Sequence, residues 1–164
     1  MGKLFTNGDG VNQSDVEAAH WYEKAAKQGD VRVQFRMGIL YKEGRGVAKS
    51  DKEAARWWRM AASQGNVDAQ CQLGFVFKNG EGVAQNDVEA ARWLRKAAEQ
   101  GNARAQCGLG FLYLEGHGVP KDIELAIQWI IDAADQGHTD ALELMEFLHD
   151  RGPAAMTKKM QSPS

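Results

Sequence analysis

The chain has 164 residues, 43% of them hydrophobic and 26% charged, the balance of a globular protein with enough apolar material for a substantial core. Its 20 basic and 22 acidic residues, read as spread evenly along the chain, leave a formal net charge of −2 and no field of the kind that draws a protein onto nucleic acid or anionic lipid. No run of about 18 apolar residues suggests a membrane span, and the opening MGKLFTNGDG lacks the apolar stretch and cleavage site of a secretory signal.

The chain repeats. Trp21, Trp57, Trp93 and Trp129 stand 36 residues apart, and the same offset aligns three glycine columns. These are Gly8, Gly44, Gly80 and Gly116; Gly10, Gly46, Gly82 and Gly118, with Val11, Val47, Val83 and Val119 behind them; and Gly29, Gly65, Gly101 and Gly137. In this register Met1 and Gly2 take the columns of Met37 and Gly38, so residues 1–30 read as a partial repeat opening about halfway through its first helix. That start fits a degenerate first unit or a longer natural protein.

Residues 31–66 read as the first complete unit. Its helix A spans about Val31 to Glu43, with Val33, Met37, Leu40 and Tyr41 on one face at 3.6 residues per turn. Gly38 in mid-helix costs about 1 kcal/mol against alanine, a cost best explained by close approach of another helix. The serine, asparagine or aspartate column Ser14, Ser50, Asn86 and Asp122 then starts helix B, because these side chains accept from the free N–H groups of a first turn. Glu17, Glu53 and Glu89 follow three positions later and complete the capping-box pattern, which Leu125 breaks in the last unit. Helix B is expected to carry Ala18, Trp21, Ala25, Ala26 and their equivalents inward and to end at a left-handed glycine of the third column.

Units 67–102 and 103–138 repeat the scheme, with Ala69, Leu73, Val76 and Phe77, then Ala105, Leu109, Leu112 and Tyr113 on the inner face of helix A, and with Gly74 and Gly110 in mid-helix. One more helix A over residues 139–150 carries Glu146 in the mid-helix glycine column and His149 in the aromatic column, polar replacements suited to a capping helix. Gly152 and Pro153 stop it, and residues 151–164 read as a flexible tail. A lone helix pair cannot bury both its faces. The expected fold is therefore all-α, a right-handed superhelix, or solenoid, of antiparallel helix pairs over residues 1–150.

The pattern A-x-x-x-L-G-x-x-Y-x-x-G-x-G-V, followed by an alanine, a tryptophan and A-A-x-x-G, resembles the Sel1-like repeat over nearly the whole chain. Tetratricopeptide repeats are the near alternative, but their usual period is about 34 residues and the G-x-G-V loop favours the Sel1-like unit. The resemblance implies a non-enzymatic scaffold for protein interaction, of the kind found in bacterial adaptors, with a protein or peptide partner and no cofactor. Two alternatives stand beside it: a small-molecule, peptidoglycan-fragment or β-lactamase-like protein, and a structural segment of a longer multi-domain chain.

The residues capable of chemistry are few. Cys71 and Cys107 share one column on successive A helices, about 8–10 Å apart and too far for an unstrained bridge, so they read as free, partly buried thiols, with a redox role as the alternative. Some secreted Sel1-like proteins pair two cysteines per repeat; this chain has one, which leans the compartment toward a reducing, cytoplasmic one, with a periplasmic or secreted place as the alternative if the N-terminus is truncated. His20, His117, His138 and His149 share no H-x-x-x-H spacing and read as isolated surface positions rather than metal ligands. No phosphate loop, nucleophile elbow or S-x-x-K arrangement occurs, so no catalytic residue is named.

The candidate binding surface lies on helix A, pointing away from the inner columns. It comprises Arg32, Phe35, Ile39 and Lys42, then Asp68, Phe75 and Lys78, then Arg104, Phe111 and Leu114. Within it the apolar stripe Ile39, Phe75, Phe111 and Phe147 reads either as core between repeats or as the floor of a groove. A separate apolar face around Trp21 and Tyr22, at the N-terminal end, suggests end-to-end self-association.

Overall fold

The computed structural model describes residues 13–151, which form eight helices and no strand. They are α1 (Gln13–Lys27), α2 (Val31–Glu43), α3 (Asp51–Ser63), α4 (Val67–Asn79), α5 (Asp87–Glu99), α6 (Ala103–Glu115), α7 (Ile123–Asp135) and α8 (Thr139–Arg151). The even-numbered helices are A helices and the odd-numbered ones B helices. Each packs on its neighbours in the chain, and α4 also touches α6, which gives a solenoid built from consecutive pairs. The partial first helix, the first members of the first two glycine columns and the expected tail beyond Arg151, which ends α8, fall outside the described residues. Among those described, no helix is long and apolar enough to cross a membrane.

Local chemistry sets the helix ends. Asp30, Asn66 and Asn102 cap the A helices, each accepting from backbone N–H groups of the first turn at 2.8–3.1 Å. These caps were not anticipated. Gly44, Gly80 and Gly116 close the same helices in the left-handed conformation, at φ 73°, 72° and 76°. Ser50, Asn86 and Asp122 cap the B helices as expected, through contacts of 3.0–3.2 Å. The reciprocal half of the capping box is not made: the backbone N–H groups of these three residues donate instead to the carbonyls of Tyr41, Phe77 and Tyr113, which ties each B helix to the A helix before it. Glu53 and Glu89 pair with Arg56 and Arg92 on their own helices. Ser14 also departs from expectation, lying one residue inside α1 rather than at its cap.

The mid-helix glycines mark the closest helix approaches. A Cβ on Gly38 would fall 2.2 Å from the Trp58 indole nitrogen, one on Gly74 2.4 Å from Leu94 Cγ, and one on Gly110 2.7 Å from Ile130 Cγ1. The alanine columns pack with equal economy, Ala54, Ala61, Ala90 and Ala97 being fully buried. Trp57 and Trp93 are buried as well. In α1 the expectation fails at three positions: Ala18 and Trp21 are exposed and Ala25 is only half-buried, while Ala19 and Ala26 are buried. Ala19 and Ala26 join Met37 and Leu40 of α2 in one cluster; Ala18 and Trp21 lie off that contact face.

A polar ladder threads this apolar core. Gln34, Gln70 and Gln106, each at most 6% exposed, donate to the carbonyls of Ala26, Ala62 and Ala98 at the end of the preceding B helix. Each also accepts, at 2.7 Å, from Gln64, Gln100 or Gln136 at the end of the following one. Each of these three amides therefore bridges two B helices, satisfying polar atoms that burial would otherwise penalise by about 1–3 kcal/mol each. Both glutamine columns recur at 36 residues in the sequence, but a polar column carries no mark of burial until its partners across the stack are known.

Candidate interaction groove on the A helices

A concavity of about 420 Å³ lies on the side of the solenoid made by α2, α4 and α6. Its apolar wall comes from Ile39 of α2, Phe75 and Val76 of α4, and Trp58 of α3, a B-helix residue that reaches through because Gly38 leaves it room. Polar groups complete the lining: Lys42 and Glu43 from the end of α2, Gln72 and Asn79 from α4, Glu81 from the loop after α4, and Arg104 from the first turn of α6.

Two of the charges are committed within the fold. Lys42 Nζ donates to Glu81 of the next repeat and ion-pairs with Asp51 at 2.9 Å. The Glu81 carboxylate holds the Lys42 ammonium above its usual pKa, and in return that hydrogen bond, helped by one from Asn79, holds the Glu81 carboxyl below the usual carboxylate range. Arg104 is placed differently. Its guanidinium lies 4.3 Å over the Phe75 ring and donates to Gln72 Oε1 at 3.3 Å, with no carboxylate within ion-pair distance among the described residues.

Of the ten surface residues expected from sequence, the pocket brings together Ile39, Lys42, Phe75 and Arg104. Arg32 and Asp68 are exposed on the same helices, and Phe35, Lys78 and Phe111 are half-buried. Leu114 is a correction: it is 3% exposed and belongs to the core. It stands in the column of Lys42 and Lys78, and without an ammonium to keep in water its side chain is free to bury. The stripe Ile39, Phe75, Phe111 and Phe147 is half-buried throughout, so the two readings of it do not exclude each other. Phe75 packs against the next repeat, 3.0 Å from where a Cβ on Gly108 would stand, and also lines the pocket. Trp58 and Glu81 do not follow from the periodicity of helix A, since a B helix and a loop supply them, and Gln72 and Val76 lie on α4 outside the expected surface columns.

Elsewhere the chemistry is quiet. Cys71 and Cys107 are free and buried, more deeply than expected, and burial pushes both thiols up to about 11, which leaves them protonated at neutral pH. Among the described residues no group of three or more His, Cys, Asp or Glu stands together as a metal site. His117 lies 3.1 Å from Glu115 on the surface. The even spread of charge does not hold at the C-terminal end, where residues 122–150 contain eight acidic side chains and no lysine or arginine.

Comparison with known proteins agrees with this architecture. The family model of the Sel1 repeat matches residues 1–30, 31–66, 67–102 and 103–138. A structure of a protective antigen present in uropathogenic Escherichia coli strains, displaying an SLR fold, superposes with a TM-score of 0.82 at 33% identity over 88% of this chain and 31% of that one. A Sel1 repeat protein from Oxalobacter formigenes gives 0.77 at 36% identity, over 87% of this chain and 59% of that one. Helicobacter pylori cysteine rich protein B shares the fold, with a TM-score of 0.63 at 21% identity over 84% of this chain and 99% of that one. The chain thus spans less than two thirds of the length of the first two relatives. No curated protein matches it significantly. Four matched repeats, and helix pairs packed in sequence, place the chain in the Sel1-repeat family, whose repeats generally serve as scaffolds for protein interaction.

Proposed function

We propose that this chain is a non-enzymatic interaction scaffold that holds a partner protein or peptide on the face made by α2, α4 and α6. The observation that carries the reading is the pocket of about 420 Å³, because Ile39 and Phe75 stay only half-buried along it while the inner columns of the same helices are packed in the core. Burial of the two thiols and the absence of any catalytic arrangement in the sequence favour binding over catalysis. Affinity capture with the wild-type chain and with Ile39→Ser and Phe75→Ser variants tests it. A partner retained by the wild type and lost from variants that melt normally is the expected result; capture indifferent to both substitutions removes the groove from the function.

A second reading, end-to-end self-association, is favoured by one observation. Trp21 is 66% exposed, and Val16 and Tyr22 stand exposed on the same helix. Light scattering across a concentration series checks it: growth in mass that Trp21→Ser abolishes supports the reading, and a strict monomer at high concentration ends it.

A further inference from the structure

We infer that the pocket between α2, α4 and α6 reads peptide segments in which one apolar side chain lies between a carboxylate and a basic group. This rests on the scaffold reading and adds the chemistry of the partner. The pocket wall of Ile39, Phe75, Val76 and Trp58 accepts an aliphatic or aromatic anchor, and its volume of about 420 Å³ suits one large side chain with the backbone on either side. At the α6 end stands Arg104, whose planar fork has a single hydrogen bond, to the neutral Gln72, and no carboxylate within ion-pair distance among the described residues. A guanidinium held flat over an aromatic ring, with donors to spare, is suited to a carboxylate.

The α2 end has the opposite sign. Lys42 is spent on Glu81 and Asp51, leaving that cluster with one net negative charge. The exposed Glu43 beside it meets a cation only at 3.8 Å, Arg45, which Asp15 shares at the same distance. A ligand crossing from α6 to α2 therefore meets a positive end, an apolar wall and a negative end. An extended peptide fits better than a compact small molecule, because the half-buried column continues beyond the pocket through Phe111 of the next repeat and Phe35 precedes it.

Four fluorescent heptapeptides with a central phenylalanine, flanked by acid and base, acid and acid, base and base, or glutamine on both sides, test the assignment by anisotropy at low salt. The acid–base peptide is expected to bind tightest, by about tenfold over the base–base peptide. Arg104→Glu, placed in the first turn of α6 where a carboxylate suits the helix, keeps the fold and reverses that preference. Equal binding of the four peptides, binding of none, or a preference unmoved by Arg104→Glu overturns the inference. Failure of the scaffold reading shows separately, as partner capture indifferent to Phe75→Ser. Capture that needs Phe75 but ignores Arg104→Glu overturns only the charge assignment.

Discussion

Trp21 and Trp57 occupy the same place in consecutive repeats and live in opposite environments. Trp57 is 5% exposed and packs with Met37 and Leu40, whereas Trp21 is 66% exposed with the Lys24 ammonium 4.7 Å above its ring. The two share a helix position, alanine neighbours and the glycine that ends the helix. The difference teaches that a repeat position specifies a side chain, while the adjoining helices decide whether that side chain becomes core.

Truncation breaks or sharpens the comparison most forcefully. Trp57→Ala should cost about 3–5 kcal/mol in a urea melt and Trp21→Ala no more than about 0.5 kcal/mol. A loss under about 1 kcal/mol at Trp57 would show that the column is not core even in the interior. Glycines repeat the lesson. A Cβ on Gly118, at φ 69°, would fall 2.0 Å from the Asp87 carbonyl oxygen, whereas Gly65, at φ 90°, has nothing within 4 Å. Gly118→Ala should therefore lose about 3 kcal/mol or more, combining backbone strain with a clash, and Gly65→Ala about 1 kcal/mol from strain alone. Equal losses in thermal melts would mean that backbone conformation, and not the neighbouring helix, governs both.

The glutamine ladder makes a smaller contrast. Gln100→Ala removes the donor to Gln70 and should cost about 1 kcal/mol, while Gln28→Ala, at the equivalent position just after α1 and with no ladder bond among the described residues, should change stability by less than about 0.5 kcal/mol. The smallest effect belongs to the inter-repeat ion pair. Glu81 titrates below its ordinary value when folded, so its stabilisation is complete above the unfolded carboxylate pKa and lost as pH falls through the lower folded one. Lys42, raised when folded, keeps its contribution through neutral pH and loses it only as pH climbs past the ordinary lysine range. Both side chains are 36% exposed, and water screens the pair to about 0.2–1 kcal/mol. Urea melts from pH 7 down to about pH 3 should show Glu81→Gln losing its deficit against the wild type as acid removes the pair; a constant gap would assign the deficit to packing.

Much of the fold was legible because its determinants are local. Gly44, Gly80 and Gly116 are left-handed where the glycine column requires it, and Ser50, Asn86 and Asp122 cap where their side chains can reach a first-turn N–H. The reciprocal capping bonds expected from Glu53 and Glu89 are not made, since the carbonyls of Tyr41 and Phe77 compete successfully for the same N–H groups across a turn that the local pattern does not describe. The groove was legible in part. Ile39, Lys42, Phe75 and Arg104 follow from helical periodicity, but Trp58 and Glu81 come from other elements, and Leu114, apolar where its column otherwise holds lysines, turns into the core.

By itself the sequence determined the period, the helix pairs, their glycine stops and the close approaches at Gly38, Gly74 and Gly110, because backbone conformation and side-chain spacing are properties of short stretches of chain. Only the tertiary structure decided which tryptophans are core, that Phe75 both packs against its neighbouring repeat and lines a pocket, and that Lys42 is spoken for while Arg104 is not. Those outcomes depend on which helix lies alongside, and distance across the stack is not written in the spacing along it.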